Sequence, residues 1–114
     1  LDRRDLIHVD DVTTALMMLG DNPEGAGPVV NVGTGDSPTV AEVMRTLIKL
    51  TDADVDLVKF SDQVRDPVEL IVSAERIRER LGWSAEIKLQ DGLERTVKWA
   101  RENIIPNFAT EMQA

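Results

Sequence analysis

The chain opens with LDRRDLIHVDD, residues 1–11, and this stretch decides the fold that the rest of the sequence is expected to adopt. Residues 4–9 mix apolar and polar side chains as a half-buried strand does. Asp10 then stands where it can cap a helix that continues through residues 12–19. The first residue is not Met, and no turn precedes the strand. We therefore expect the chain to be the downstream part of a longer polypeptide.

Composition predicts a globular protein and argues against several kinds of partner. The chain has 114 residues, one domain's worth, and 42% of them are hydrophobic. A formal net charge of −8 gives the wrong field for nucleic acid or an anionic membrane. No apolar run reaches the ~18 residues of a membrane span, and without Cys no disulfide or thiolate metal site is expected. The expectation is a single cytoplasmic domain over residues 1–114.

Hydrophobic periodicity predicts two helices and a strand in the first half. The first predicted helix ends at Gly20 and carries an apolar stripe at i, i+3, i+4 and i+7, formed by Val12, Ala15, Leu16 and Leu19. Residues 29–32 predict a short buried strand that a turn at residues 33–36 ends. Thr39 and Glu42 have the spacing of a capping box, which predicts the start of the second helix.

The second half predicts further short elements. Alternation at residues 54–57 and the apolar run at residues 68–72 predict two more strands. Ser73 is expected to cap a short helix that Gly82 closes in a left-handed conformation. The last helix is expected to begin at Asp91. About four helices with three or four short strands give a small mixed α/β unit.

Four blocks of the sequence, in order, resemble those of one enzyme family. Residues 4–11 (RDLIHVDD) are similar to the family's R-D-[FYL]-I-H-V-D-D, and residues 30–35 (VNVGTG) to its Y-N-[IVL]-G-[TS]-G. Residues 39–43 (TVAEV) resemble its S-V-x-E-[LV] helix start, and residues 81–99 its L-G-W-x-P…G-[LI]…T-[VI]-x-W. The chain therefore resembles the carboxy-terminal, substrate-binding segment of the extended short-chain dehydrogenase/reductase family, among its NAD-dependent nucleotide-sugar epimerases and dehydratases.

The resemblance implies that this chain is part of an enzyme. Its fold would be α/β, a small mixed substrate-lobe segment that lacks the Rossmann dinucleotide half. The family reaction uses a Tyr-x-x-x-Lys pair and a glycine-rich loop that binds NAD(P), whereas this chain has no Tyr and no GxGxxG. NAD(P) and the catalytic residues would therefore belong to the rest of the parent enzyme, and this chain alone would be inactive.

The resemblance also assigns candidate residues for binding a nucleotide-diphosphate sugar. The family holds the diphosphate with an arginine that maps onto Arg4, and a guanidinium suits this role because it can bind two phosphate oxygens at once. An Arg-x-x-Asp element of the family falls on Gln63 and Asp66, and Gln63 cannot supply the charge. Arg65, two residues further on, is the candidate that replaces it.

The residues alone leave structural alternatives open for two of these candidates. Without the resemblance, Arg4 is interpreted as a surface arginine paired with Asp2 or Asp5. Asp66, which precedes Pro67, is equally well interpreted as an ordinary turn residue. The diphosphate site therefore depends on the resemblance and not on the residue pattern.

Several other features favour structural roles. Gly33-Thr34-Gly35 predicts a tight turn and not a phosphate loop, because the third glycine is missing. Residues 52–56 have the spacing of half a calcium loop but lack its Gly and bidentate Glu, so no metal is expected. His8 is expected to pack or to form hydrogen bonds. Trp83 and Trp99 are expected to be buried core anchors.

Two functions of different classes follow from these observations. The first is the nucleotide-sugar-binding portion of an NAD(P)-dependent epimerase or dehydratase. The second is a non-catalytic ligand-binding or protein-interaction module derived from that lobe. In either case we expect the isolated chain to self-associate, because the stripe on the first helix would lose part of its cover.

Overall fold

The computed structural model describes residues 2–25, 27–59, 66, 68–104 and 106. Within these residues the chain forms four α-helices, two short strands and one 3-10 turn. In order they are β1 (Arg3–Arg4), α1 (Val9–Asp21), α2 (Val40–Thr51), the 3-10 turn (Val55–Leu57), β2 (Glu69–Leu70), α3 (Glu75–Leu81) and α4 (Leu89–Asn103). The predicted mixed α/β unit with four helices is confirmed.

The sheet is a parallel pair that joins the start of the chain to its second half. Arg3 lies opposite Glu69 and Arg4 opposite Leu70. The backbone N–H groups of Arg3 and Asp5 donate to the carbonyls of Val68 and Leu70, at 2.8 and 3.0 Å. Each strand is nevertheless only two residues long, so the predicted strands at residues 4–9 and 68–72 are too long.

The strands end early because the Asp5 carboxylate accepts the N–H that would otherwise continue the backbone hydrogen bonds of the sheet. Asp5 accepts a hydrogen bond from the backbone N–H of Val72, at 3.3 Å, just beyond β2. The predicted strand at residues 29–32 does not form, and the Val29 carbonyl accepts a hydrogen bond from Arg76 Nη1 at 2.9 Å. The predicted strand at residues 54–57 is wrong as well, because Asp54 caps a 3-10 turn by accepting from the Asp56 N–H at 2.9 Å.

The helix starts confirm one predicted cap, correct two others and move the start of the last helix. The Thr39–Glu42 capping box is present at α2, with bonds of 3.1 and 2.8 Å. At α1 the cap is His8 and not Asp10, because the His8 Nδ1 accepts from the Asp10 N–H at 3.0 Å. Ala74 and not Ser73 precedes α3, and α4 starts at Leu89, before Asp91; neither helix has a side-chain cap bond.

The core lies where α1, α3 and the segment after α3 meet. Among the described residues, Ala15, Ile77 and Trp83 are the buried apolar side chains. Half-buried residues pack around them, namely Ile7, Met18, Leu19, Val30, Val32, Ala74, Leu81 and Ala85. Gly82 ends α3 with a φ of +74°, the left-handed conformation predicted for it, and turns the chain so that Trp83 enters this core.

The helix pair α2 and α4 lies apart from this core and packs together. Arg101 of α4 donates to the carbonyl of Leu50, at 3.3 Å. Trp99 of α4 is 56% exposed, so the prediction that it is a buried core anchor is wrong. The prediction for Trp83, which is 2% exposed, is confirmed.

Candidate functional site

Arg4, the candidate diphosphate ligand, lies on β1 beside the start of β2. Its Nη1 donates to the carbonyls of Arg3 and Val68, at 3.0 and 3.2 Å, and its Nη2 lies 3.5 Å from Asp2 Oδ2. The other Asp2 oxygen, Oδ1, accepts from the Val68 N–H at 3.0 Å. The ion pair with Asp2 that the residues alone favoured is therefore present, whereas Asp5 bonds elsewhere.

These contacts fix the position of the guanidinium without burying it. The Arg4 side chain remains 35% exposed. A guanidinium carries five N–H donors, more than one carboxylate and two carbonyls occupy, so the group has capacity for an anion. Arg4 is therefore oriented by neighbouring atoms and remains accessible from solvent.

The other candidates of the site lie at the edge of what the structure describes. Gln63 and Arg65 lie outside the described residues. Asp66 is exposed, and it precedes by two positions Val68, the residue whose carbonyl binds Arg4. The structure thus brings Arg4 to the chain segment that contains Asp66, while the predicted roles of Asp66, Gln63 and Arg65 stay predictions.

Asp5 joins three separate segments, a role that the sequence did not suggest. Its carboxylate accepts from the backbone N–H groups of Thr34 and Gly35, each at 3.0 Å, and from the Thr34 hydroxyl at 2.6 Å. It also accepts from the Val72 N–H. Partial burial raises the pKa of Asp5, but the hydrogen bonds from Thr34, Gly35 and Val72 outweigh that cost and hold the pKa below its usual value.

The Gly33-Thr34-Gly35 segment is a tight turn, as predicted. A Cβ at Gly33 would lie 2.6 Å from the Val72 Cβ, and Gly35 has a φ of +77°. The N–H groups of Thr34 and Gly35, which a phosphate loop would present to its ligand, already donate to Asp5. The turn therefore has a structural role: through Asp5 it connects the first strand to the segment after β2.

Asp11 makes a second connection of the same kind, between α1 and the backbone of residues 86–87. It is buried, and its two carboxylate oxygens accept from the backbone N–H groups of Glu86 and Ile87, at 3.1 and 3.0 Å. Its own carbonyl accepts from the Trp83 Nε1 at 3.2 Å. No sequence signal predicts this role, because an Asp in the first turn of a helix usually faces water and the helix dipole.

His8 has the structural role expected of it. Its ring is largely buried, caps α1 and lies close enough to Gly92 that a Cβ there would be 3.4 Å from the His8 Cδ2. The described residues contain no group of three or more His, Cys, Asp or Glu side chains that could hold a metal ion. In the same part of the chain, every helix is too short or too polar to cross a bilayer.

Comparisons with known proteins give related enzymes. No protein-family model matches the chain. It is 36% identical over 101 residues to the UDP-glucose 4-epimerase of Azospirillum brasilense, a match that covers 86% of this chain and 29% of that protein. It is 33% identical over 104 residues to a dTDP-glucose 4,6-dehydratase of Streptomyces niveus, covering 89% of this chain and 30% of that one.

A solved structure shows the same arrangement. The UDP-glucose 4-epimerase of Bifidobacterium longum, determined with NAD⁺ and UDP, superposes with a TM-score of 0.75 at 26% identity. The match covers 90% of this chain and 31% of that one. The chain thus spans about 30% of the length of the curated relatives it matches.

Proposed function

Because the chain is related in sequence and fold to the nucleotide-sugar epimerases and dehydratases of the extended short-chain dehydrogenase/reductase family, we propose that it is the nucleotide-sugar-binding portion of such an enzyme. The observation that supports this most is Arg4, which is oriented on β1 and still partly exposed. The family resemblance assigns the role of binding the diphosphate to this arginine. The substrate class we assign is a nucleotide-diphosphate sugar.

The contacts of Arg4 suit a phosphate ligand. Asp2 and the Val68 carbonyl restrain the guanidinium, so less side-chain entropy is lost when an anion binds. They also link Arg4 to Val68, two positions after the candidate Asp66. In this proposal Arg4 binds the diphosphate, and the segment around Asp66 contacts the rest of the nucleotide.

The proposed chemistry belongs to a longer polypeptide. In the parent, NAD(P) would accept and return a hydride while the sugar is epimerised or dehydrated. This chain contains no Tyr, so the residue that the family uses as base would come from elsewhere. We therefore propose that the chain alone is inactive and binds no NAD(P). The gene offers a direct check, since a reading frame that continues upstream through a glycine-rich loop and a Tyr-x-x-x-Lys pair supports this role.

The adjacent arginines provide a matched test of the binding site. The Arg3 Nη1 donates to the Ser37 carbonyl at 3.0 Å, a different partner from the Asp2 and Val68 groups that bind Arg4, so Arg3→Gln is the control for Arg4→Gln. In the full-length polypeptide, calorimetry with UDP-glucose should show Arg4→Gln weakening binding by about 1.5–3 kcal/mol, the range for a hydrogen bond to a charged group. Arg3→Gln should bind as the parent does. Equal affinities for all three proteins would remove Arg4 from the site.

The non-catalytic module stays the second candidate, and a start codon close to Leu1 would favour it. Self-association and a cytoplasmic location also stay predictions. Not every residue of the predicted apolar stripe on α1 is accessible to a second copy of the chain. Of the predicted stripe, Ala15 is fully buried and Leu16 is exposed, while Val12 and Leu19 are half-buried.

A further inference from the structure

Two arginines of α3 border an open cavity that lies apart from Arg4 and its contacts. Arg76 and Arg80 are four positions apart in sequence, so they are neighbours on one face of the helix. With Val29 and Asn31 they line a space of about 430 Å³, a size typical of small-molecule sites. The cavity therefore combines two cations with enough room for a ligand larger than a single ion.

Both guanidinium groups are placed by the backbone and keep free N–H donors. The Arg76 Nη1 donates to the Val29 carbonyl at 2.9 Å, which holds the side chain against the wall of the cavity. The Arg80 Nη1 lies beside Gly27, 3.2 Å from the place that a Cβ would take there. Within the described part of the chain, neither arginine pairs with a carboxylate. Each guanidinium carries five N–H groups, so most of these donors remain available to a ligand.

A third arginine of α3, Arg78, has a different environment. Its Nη2 lies 3.9 Å from Glu75 Oε1, and its side chain does not border this cavity. Glu75 does border the cavity, but the cation it approaches is Arg78 and not Arg76 or Arg80. The positive charge of the two cavity arginines is therefore not neutralised by this carboxylate.

The polar groups around the cavity indicate which ligand it would bind. Two neighbouring guanidinium groups can share the oxygens of one phosphate group, each with a pair of N–H donors. Glu79 is exposed and lines the same space. An ionised carboxylate accepts hydrogen bonds from hydroxyl groups and repels a second phosphate. A ligand with a single terminal phosphate and several hydroxyl groups therefore fits better than a nucleoside diphosphate or triphosphate.

We propose that this cavity, which we call the α3 pocket (residues 29–31, 73, 75–76 and 79–80), is a second binding site that takes a sugar monophosphate. Arg76 and Arg80 bind the phosphate group, and Glu79 accepts hydrogen bonds from the sugar hydroxyls. The α3 pocket is independent of the proposed nucleotide-sugar site, because none of the groups that Arg4 contacts borders it.

Calorimetry with glucose 1-phosphate tests the proposal on the 114-residue chain. Arg76→Gln and Arg80→Gln should each weaken binding by about tenfold, because each removes a charged partner of the phosphate. Arg78→Gln removes the same charge from the same helix but outside the cavity, and should leave the affinity unchanged. Arg80 makes no hydrogen bond within the described residues, so Arg80→Gln keeps the test decisive even if Arg76→Gln disturbs the fold. Circular dichroism checks each variant.

Further ligands test the sugar part and the independence of the α3 pocket. Inorganic phosphate should bind more weakly than glucose 1-phosphate, and Glu79→Ala should remove most of that difference. An excess of UDP-glucose should not displace glucose 1-phosphate. Absence of saturable heat with glucose 1-phosphate, or an equal loss of affinity in Arg78→Gln, overturns the proposal. Equal affinities for inorganic phosphate and glucose 1-phosphate overturn the assignment to a sugar monophosphate, and displacement by UDP-glucose overturns the assignment to a second site.

Discussion

Trp83 and Trp99 lie in two regions that are built differently. Trp83 is 2% exposed, lies beside Ile77 and Ala15, and donates its indole N–H to the Asp11 carbonyl. Trp99 is 56% exposed on α4 and borders a cavity. The ring type is the same, but in the region of Trp83 the buried carboxylate of Asp11 accepts hydrogen bonds from the backbone of a distant loop. The buried ring therefore lies next to a loop that the Asp11 carboxylate holds, whereas the exposed ring lies on a helix surface.

Three aspartates among the first eleven residues, Asp2, Asp5 and Asp11, accept hydrogen bonds from the backbone of distant segments; we call these contacts the carboxylate ties. Asp2 accepts from the Val68 N–H, Asp5 from three backbone N–H groups, and Asp11 from two. Charged acceptors make stronger hydrogen bonds than neutral ones, so each carboxylate can hold a loop that has no strand ladder of its own. The region of α2 and α4 depends instead on the α2 capping box and on the packing of the two helices.

The largest expected effect is on the buried ring. Trp83→Ala should lower the free energy of unfolding by about 3–5 kcal/mol, because it removes a large side chain from a small core. Urea denaturation monitored by circular dichroism measures it. A loss below about 1 kcal/mol would mean that the two tryptophan regions do not differ.

Removing the Asp11 carboxylate, which lies next to Trp83, should lower the free energy of unfolding by a smaller but still large amount. Asp11→Ala leaves the N–H groups of Glu86 and Ile87 without their acceptor, which costs roughly 2–3 kcal/mol. Asp11→Asn keeps one acceptor oxygen and should lose about half as much. The same urea series compares the two variants, and identical losses would indicate that Asp11 acts through packing alone.

Asp5 should make the stability depend on pH. Its pKa is lowered in the folded chain, so its contribution is present above about pH 4, the usual range of a free Asp, and is lost as the pH falls through the folded pKa. Asp5→Asn should flatten this part of the stability profile and lower stability at pH 7 by about 1–2 kcal/mol. Thermal melts between pH 2 and 7 compare the two, and parallel profiles would count against the Asp5 tie.

The smallest effect is expected at the exposed ring. Trp99→Ala should change the free energy of unfolding by less than about 1 kcal/mol, as surface substitutions usually do. Under the same conditions as for Trp83→Ala, a loss of 3 kcal/mol or more would place Trp99 in a core and remove the contrast between the regions.

The sequence predicted what depends on neighbouring residues. The α2 capping box joins positions only three apart, and the left-handed Gly82 follows directly on α3. It did not predict the ties of Asp5 and Asp11, because their partners lie 29 to 76 positions away along the chain. Strand lengths failed for the same reason, since Asp5 takes the N–H that would have continued the sheet.

The candidate site divides in the same way. The position of Arg4 followed from a motif within residues 4–11, and its pairing with Asp2 was one of the alternatives that the residues left open. Its contact with the Val68 carbonyl, 64 positions away, has no local signal. Likewise, periodicity detected an apolar stripe on α1 but not which of its members the rest of the chain covers.

The central claim is that Arg4 holds the diphosphate of a nucleotide sugar. A crystal structure of the full-length polypeptide with UDP-glucose tests it most directly. The account predicts guanidinium nitrogens of Arg4 about 2.7–3.2 Å from phosphate oxygens, the range of a direct hydrogen bond, with the Asp2 and Val68 contacts retained. A diphosphate bound elsewhere, with Arg4 still engaged only by Asp2 and by backbone carbonyls, would contradict it.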